Sequence, residues 1–198
     1  MIKIAITGGI GSGKSFVCRL LEDMCIPIYS ADNEAKRLTA SDAGIRERLV
    51  SLLGEEVYRG GVLNKPLLAS YLFSHQAHVL QVNSIIHPRV REDFAAWAKL
   101  RNGYEIVGME SAILYESGFQ DMVDVVIMVY APETLRIRRA MARDGASEEQ
   151  IRARMAAQMN DEEKLRLADF TVVNDGMQPL MPQLNRIVEQ LKTEKFVP

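Results

Sequence analysis

Gly8-Gly9-Ile10-Gly11-Ser12-Gly13-Lys14-Ser15, directly after the apolar run Met1-Ile2-Lys3-Ile4-Ala5-Ile6-Thr7, is the stretch on which the fold turns. It is a complete G-x-x-x-x-G-K-S phosphate-binding loop. Glycines without Cβ let such a loop bend until successive backbone N–H groups point inward, and the following helix adds the positive end of its dipole. Lys14 can then reach β- and γ-phosphates as a point charge, and the Ser15 hydroxyl is short enough to coordinate Mg²⁺ at the first helical turn. The flanks supply the context that the motif needs. A β-branched strand precedes it, and Phe16, Val17, Leu20, Leu21 and Met24 follow at helical spacing. The alternative is a Gly-rich turn without a ligand; strand before and helix after favour a bound nucleoside triphosphate.

Working outward, Ile26-Pro27-Ile28-Tyr29-Ser30 predicts a second strand, followed by a helix through Arg37 and Leu38. Residues 41–101 contain no convincing strand, with Asn64-Lys65-Pro66 opening one helix and His87-Pro88 another; this reads as an all-helical insertion. Strands resume at Tyr104–Met109, Asp124–Tyr130 and Phe170–Asn174. The first two of these are too apolar for an exposed edge. A charged helical stretch, Arg136–Lys164, separates the last two strands, and an amphipathic helix from Pro179 to about Lys192 closes the chain. Five strands separated by helices predict an α/β fold, a five-stranded parallel doubly wound sheet with a helical insertion and a helical lid. The expected organisation is a nucleotide-binding core of residues 1–35, 102–135 and 166–198, a helical substrate-binding domain of 36–101 and a lid of 136–165.

Ligands of such sheets collect at the carboxyl ends of the strands, which gathers the loop, Asp32, Glu110, Glu116 and the arginine-rich segment toward one crevice. Asp32 can accept the proton of an attacking hydroxyl; equally, Ser30-Ala31-Asp32-Asn33 before a helix reads as an N-cap. In Arg136-Ile137-Arg138-Arg139-Ala140-Met141-Ala142-Arg143, helical spacing sets Arg136, Arg139 and Arg143 on one cationic side, with Ile137 and Met141 on another. Asp144-Gly145-Ala146 joins this helix to a second, opened by a Ser147/Gln150 capping box and carrying Arg152 and Arg154. A hinged lid that excludes water from phosphoryl transfer is one reading, a solvated helical hairpin the other.

Composition narrows the rest. With 198 residues, 47% of them hydrophobic, and a formal charge of −2, the chain has no global field to attract nucleic acid or an anionic membrane. No stretch approaches the roughly 20 apolar residues of a membrane span, and a core strand stands where a signal peptide would, so a cytoplasmic protein is expected. Cys18 and Cys25 suit small core groups, and His75, His78 and His87 form no zinc pattern. Phe94 and Trp97 read as core.

These residues together resemble the dephospho-CoA kinases, a family of P-loop kinases. The resemblance rests on Ile4 through Ser15, Ala31-Asp32, Ile86-His87-Pro88, Leu114-Tyr115-Glu116-Ser117-Gly118, Arg139, Arg143-Asp144, Gln158, and Ala168-Asp169 with Asn174. It implies ATP-dependent phosphorylation of the 3′-hydroxyl of dephospho-CoA, with ATP and Mg²⁺ as cofactors. It also implies catalytic roles for Asp32, Lys14, Arg139 and Arg143, and nucleotide binding by Gly8, Gly9, Ile10, Gly11, Ser12, Gly13, Lys14, Ser15, Phe16, Arg139 and Asn174. Substrate binding falls to Asp32, His87, Arg91, Leu114 and Glu116, with Ser15 as the metal ligand. Three positions depart from the family pattern: Phe16 replaces Thr, Ser111-Ala112-Ile113-Leu114 replaces Pro-Leu-Leu, and Arg136 replaces Gln. Two other functions stay open on the residues alone, a kinase of the same architecture for another small acceptor and a nucleotide-gated binding module. Monomer and homo-oligomer are equally compatible with the pattern.

Overall fold

The apolar N-terminal run forms β1 (Ile2–Thr7), and its centre, Ile4, Ala5 and Ile6, is wholly buried. The structure, a computed structural model, describes residues 1–193; the last five residues of the expected core segment, 194–198, lie outside the described residues. After β1 come α1 (Lys14–Asp23), β2 (Ile28–Ser30), α2 (Ala31–Ser41) and α3 (Ala43–Leu53). A short hairpin follows, β3 (Tyr58–Arg59) and β4 (Val62–Leu63), then α4 (Lys65–Ser74) and α5 (Gln76–Lys99). The remainder runs β5 (Ile106–Glu110), β6 (Val125–Tyr130), α6 (Glu133–Asp144), α7 (Glu148–Ala156), α8 (Asp161–Leu167), β7 (Phe170–Val173) and α9 (Leu180–Thr193). Two units are distinguished, Met1–Ser30 with the chain from Leu100 onward, and Ala31–Lys99. The second unit begins five residues before the expected 36–101 and ends two before it, and the segment expected as a lid, 136–165, falls within the first unit.

The first unit is built on a parallel sheet of order β2-β5-β1-β6-β7. Its strands alternate as a pleat requires. Ile4 and Ile6 of β1, with Val125, Ile127 and Val129 of β6, pack against Val17, Cys18 and Leu21 of α1 and Leu184, Ile187, Val188 and Leu191 of α9. In β5, a Cβ on Gly108 would lie 2.5 Å from Ile28 Cδ1, so the glycine lets β2 close on β5. Only Cys18 of the two cysteines is core. Burial, then Glu110 and Glu22, push its thiol up to about 12, with Lys14 opposing. Cys25 is exposed and takes a left-handed backbone conformation (φ 62°), because it ends α1: its N–H and that of Ile26 turn back to Glu22 and Leu21.

The second unit corrects the all-helical expectation for 41–101. Gly60-Gly61, both at positive φ, form a two-residue turn between β3 and β4. Nor does His87-Pro88 open a helix; it lies inside the 24-residue α5. Proline removes one backbone donor, but Val82, Val90, Phe94 and Ala98 bury one side of the helix and carry it through. Asn64 caps α4 by accepting from Leu67 N, with Pro66 in the first turn as expected. Charges bind the helices to one another: Arg89 reaches Asp42 at 2.7 Å and Arg37 reaches Asp93 at 2.8 Å. Arg89 holds the Asp42 carboxyl below the usual range, against the effect of burial.

Candidate active site

The phosphate loop spans the turn from β1 to α1. Gly11 (φ 78°) and Gly13 (φ 95°) adopt conformations that favour glycine, and each touches a neighbour that a Cβ would hit. A Cβ at Gly11 would lie 2.2 Å from the Arg136 carbonyl oxygen, and one at Gly13 would lie 2.1 Å from the Asn174 amide nitrogen. The first turn of α1 carries no acidic residue, so its dipole is left for an anion. Lys14 Nζ donates to the Gly8 carbonyl at 2.9 Å. Thr7 Oγ1 and Ser12 Oγ are buried and, among the described residues, without a hydrogen-bond partner. Buried hydroxyls of this kind suit a bound phosphate or the water around it. Ser15 is exposed on the first turn of α1, where its hydroxyl can serve a hard cation. Phe16 is exposed too, with the Arg19 guanidinium 5.7 Å from its ring centre.

The far end of the sheet braces this loop. Asn174, just beyond β7, donates from Nδ2 to the Ser12 carbonyl at 2.8 Å and accepts from Arg139 on its own carbonyl at 3.0 Å. Its amide is therefore used on the loop, and Arg139 is held beside it. Arg143 is exposed and pairs with Asp144 at 2.7 Å, which also receives Arg154 at 3.0 Å. These arginines lower the Asp144 carboxyl. An exposed pair of this kind is weak and can be exchanged for a phosphate. The Ser147/Gln150 capping box is present.

Arg136 departs from its expected place on a cationic side with Arg139 and Arg143. It is buried, because the first turn of α6 lies against the loop and Asp161, the first residue of α8, supplies a counter-charge at 2.8 Å. Burial raises the Asp161 carboxyl, with Arg136, Lys164 and Lys14 opposing. Ile137, Ala140 and Ile151 form a small core between α6 and α7, against which Ile10 of the loop packs. A cavity of about 510 Å³ opens beside them, lined by Glu133, Arg136, Arg152, Met155, Gln158 and Asp161.

The loop after β5 is clamped by α8. Lys164, wholly buried, donates to the Ala112 carbonyl at 2.7 Å and pairs with Glu116 at 3.2 Å. Glu116 also accepts from Met159 N at 2.7 Å. Leu114 has no exposed surface, so it shapes this loop from beneath. Glu110 accepts from Ser30 Oγ at 3.2 Å across β5 and β2. The sequence reading missed Asp161 and Lys164. Their i,i+3 spacing at a helix start was visible, but not that both would be buried.

Asp32, His87 and Arg91 belong to the second unit. Asp32 is exposed in the first turn of α2, two residues past the end of β2. Because α2 begins at Ala31 and Asp32 makes no capping bond among the described residues, the N-cap alternative is not what the helix uses. His87 and Arg91 lie one turn apart on α5. Burial first, and Arg91 second, hold the imidazole below its ordinary value.

A Gly-rich strand-to-helix turn at the carboxyl end of a parallel sheet, flanked by arginine-bearing helices, defines a P-loop kinase, which draws its phosphoryl group from ATP. A family model described as dephospho-CoA kinase matches residues 2–179. A dephospho-CoA kinase of Bacteroides fragilis is 56% identical over 187 residues, spanning 94% of this chain and 91% of the relative. Among solved structures, TT1252 from Thermus thermophilus aligns with a TM-score of 0.84 at 33% identity over 98% of each chain. Dephospho-CoA kinase from Campylobacter jejuni shares the fold, with a TM-score of 0.69 at 22% identity over 96% of each chain. The chain belongs to the dephospho-CoA kinase family, whose activity is the last step of coenzyme A biosynthesis. Among the described residues no helix is long and apolar enough to cross a membrane.

Proposed function

We propose that this chain transfers the γ-phosphoryl group of ATP to the ribose 3′-hydroxyl of dephospho-CoA, giving CoA and ADP, in the cytoplasm. The observation that carries the reading is the loop: a glycine cradle with buried unpartnered hydroxyls, a lysine and an unneutralised helix N-terminus, in a chain of this family. Asp32 takes the proton of the 3′-hydroxyl as that oxygen bonds to the γ-phosphorus, and the bond to the β–γ bridging oxygen breaks to release ADP. Lys14 leaves the Gly8 carbonyl for the phosphates. Mg²⁺, bound through Ser15, would neutralise charge shared by the β- and γ-phosphates. Arg139 and Arg143 spread over the transferring group, Arg143 by exchanging Asp144 for phosphate. His87 and Arg91 hold the anionic acceptor, Leu114 and Glu116 fix the loop after β5, and Phe16 flanks the nucleotide.

Product mass and ATP consumption with dephospho-CoA as acceptor test this, with Asp32→Asn beside the wild type. CoA forms with the wild type, and the variant keeps ATP binding while kcat falls by about 10²–10⁴. A folded, ATP-binding wild type that yields no CoA refutes the acceptor and points to another small hydroxyl compound, or to a binding module if no acceptor is phosphorylated. Full activity in the variant removes Asp32 from catalysis.

A further inference from the structure

We infer that Arg136 and Asp161 act as a positioning pair for the phosphate loop, holding its outer side rigid so that nucleotide phosphates meet a preformed cradle; this rests on the nucleotide-binding reading above. The guanidinium is spent in three directions. Nε donates to the Ala131 carbonyl at 3.1 Å, one terminal nitrogen to the Ile10 carbonyl at 3.4 Å, and the other meets Asp161 at 2.8 Å. It thus joins the turn after β6, the loop and the start of α8. The loop in turn lies close against the pair at Gly9 and Gly11. A Cβ on Gly9 would lie 2.2 Å from the Arg136 guanidinium and 2.7 Å from an Asp161 oxygen, and the Arg136 carbonyl closes on Gly11. Ile10 completes the contact by packing on Ile137, Ala140 and Ile151.

A loop with four glycines in six residues has much backbone freedom to lose, and any ordering left until the ligand arrives is subtracted from affinity. Contacts behind the loop remove that freedom beforehand. A buried ion pair is weak evidence for stability, so its use here lies in fixing position. Lysine could not replace Arg136, since a point charge on a flexible stem cannot donate to two carbonyls in fixed directions and face the Asp161 carboxylate at once. The pair also has a sign. Asp161 lies beside a loop built for phosphate, and Arg136 neutralises it. Without Arg136 the bare carboxylate would repel the ligand.

The test is ADP affinity by calorimetry, with KM for ATP and kcat, for Arg136→Gln, Arg136→Lys, Asp161→Asn and Arg136→Gln/Asp161→Asn. Arg136→Gln loses both positioning and neutralisation, and its Kd for ADP rises about tenfold or more, with KM for ATP following and kcat within about threefold. Arg136→Lys and Asp161→Asn each lose about threefold, because one of the two effects survives. The double variant binds ADP better than Arg136→Gln alone, since the repelling carboxylate is gone. Thermal midpoints without nucleotide identify a variant that does not fold; should Arg136→Gln be one, Arg136→Lys and Asp161→Asn decide. Unchanged Kd in the folded variants, losses that multiply in the double variant, or a fall confined to kcat overturns the inference. A wild type that binds no ADP overturns the functional reading instead.

Discussion

Lys164 is a charged amine with no exposed surface, and its removal gives a measurable prediction. Lys164→Met keeps the stem volume, so it opens no cavity; what it deletes is the Nζ bond to the Ala112 carbonyl and the pairing with Glu116. A hydrogen bond to a charged donor contributes about 1.5–3 kcal/mol. Breaking a fully buried ion pair costs about 3–5 kcal/mol. Glu116, however, is 25% exposed on its side chain and keeps the Met159 N–H, so water and that donor recover part of the loss. The two contributions give a destabilisation of about 3 kcal/mol, or roughly 6–12 °C in thermal midpoint for a chain of this size. Chemical denaturation followed by far-UV circular dichroism measures it, and Glu116→Gln completes a double-mutant cycle. With its partner gone, the Glu116 charge is a liability, so Lys164→Met/Glu116→Gln is more stable than the sum of the single losses by about 1 kcal/mol. A loss below about 0.5 kcal/mol for Lys164→Met, or single losses that add, would refute the clamp.

Two further outcomes follow from the same geometry. Gly13→Ala forces a left-handed conformation that costs about 1–2 kcal/mol and drives a methyl into the Asn174 amide, which gives up its bond to the Ser12 carbonyl; ADP affinity falls at least tenfold by calorimetry, and an unchanged Kd would contradict the described loop. The His87 imidazole in the folded chain lies below 6.5, so as pH falls through 6.5 the unfolded chain takes up the proton first and stability is lost, down to the folded value. In His87→Gln that part of the acid-side decline disappears, and parallel stability profiles for the two proteins would argue against a half-buried imidazole held down by desolvation and Arg91.

What could be read in advance depended on how local each signal was. The phosphate loop is contiguous, and its chemistry follows from eight adjacent residues. Strands β1, β6 and β7 are apolar runs bounded by turn residues, and the structure trims or extends them by a residue or so. The hairpin at Gly60-Gly61 was missed although its turn signal was present, because strands of two residues carry no alternation to detect. His87-Pro88 misled because proline at a helix start is the common case, and only the packing of Val82 and Val90 on either side shows otherwise. Arg136 and Asp161 stand 25 positions apart, and Lys164 reaches back 52 residues to Ala112. Helical spacing gives the direction of a side chain on its own helix, but not which distant carboxylate or carbonyl will meet it. For that reason helical spacing alone sets Arg136 on a cationic side with Arg139 and Arg143.

The central place of β1 has a consequence for how this chain is made. Its two neighbours are β5 and β6, so Ile4 pairs with Gly108 on one side and Val125 on the other. Both partners are translated at least about 100 residues later, roughly 5–20 s at ordinary elongation rates. Through that interval a strand whose residues from Ile4 to Thr7 become buried has neither edge satisfied, while residues 31–99 emerge and can collapse on their own hydrophobic positions. The nascent chain therefore carries an unpaired apolar β-segment for longer than any other part of the molecule, which makes β1 the natural point of engagement for a holdase and the place where misassembly between chains would start.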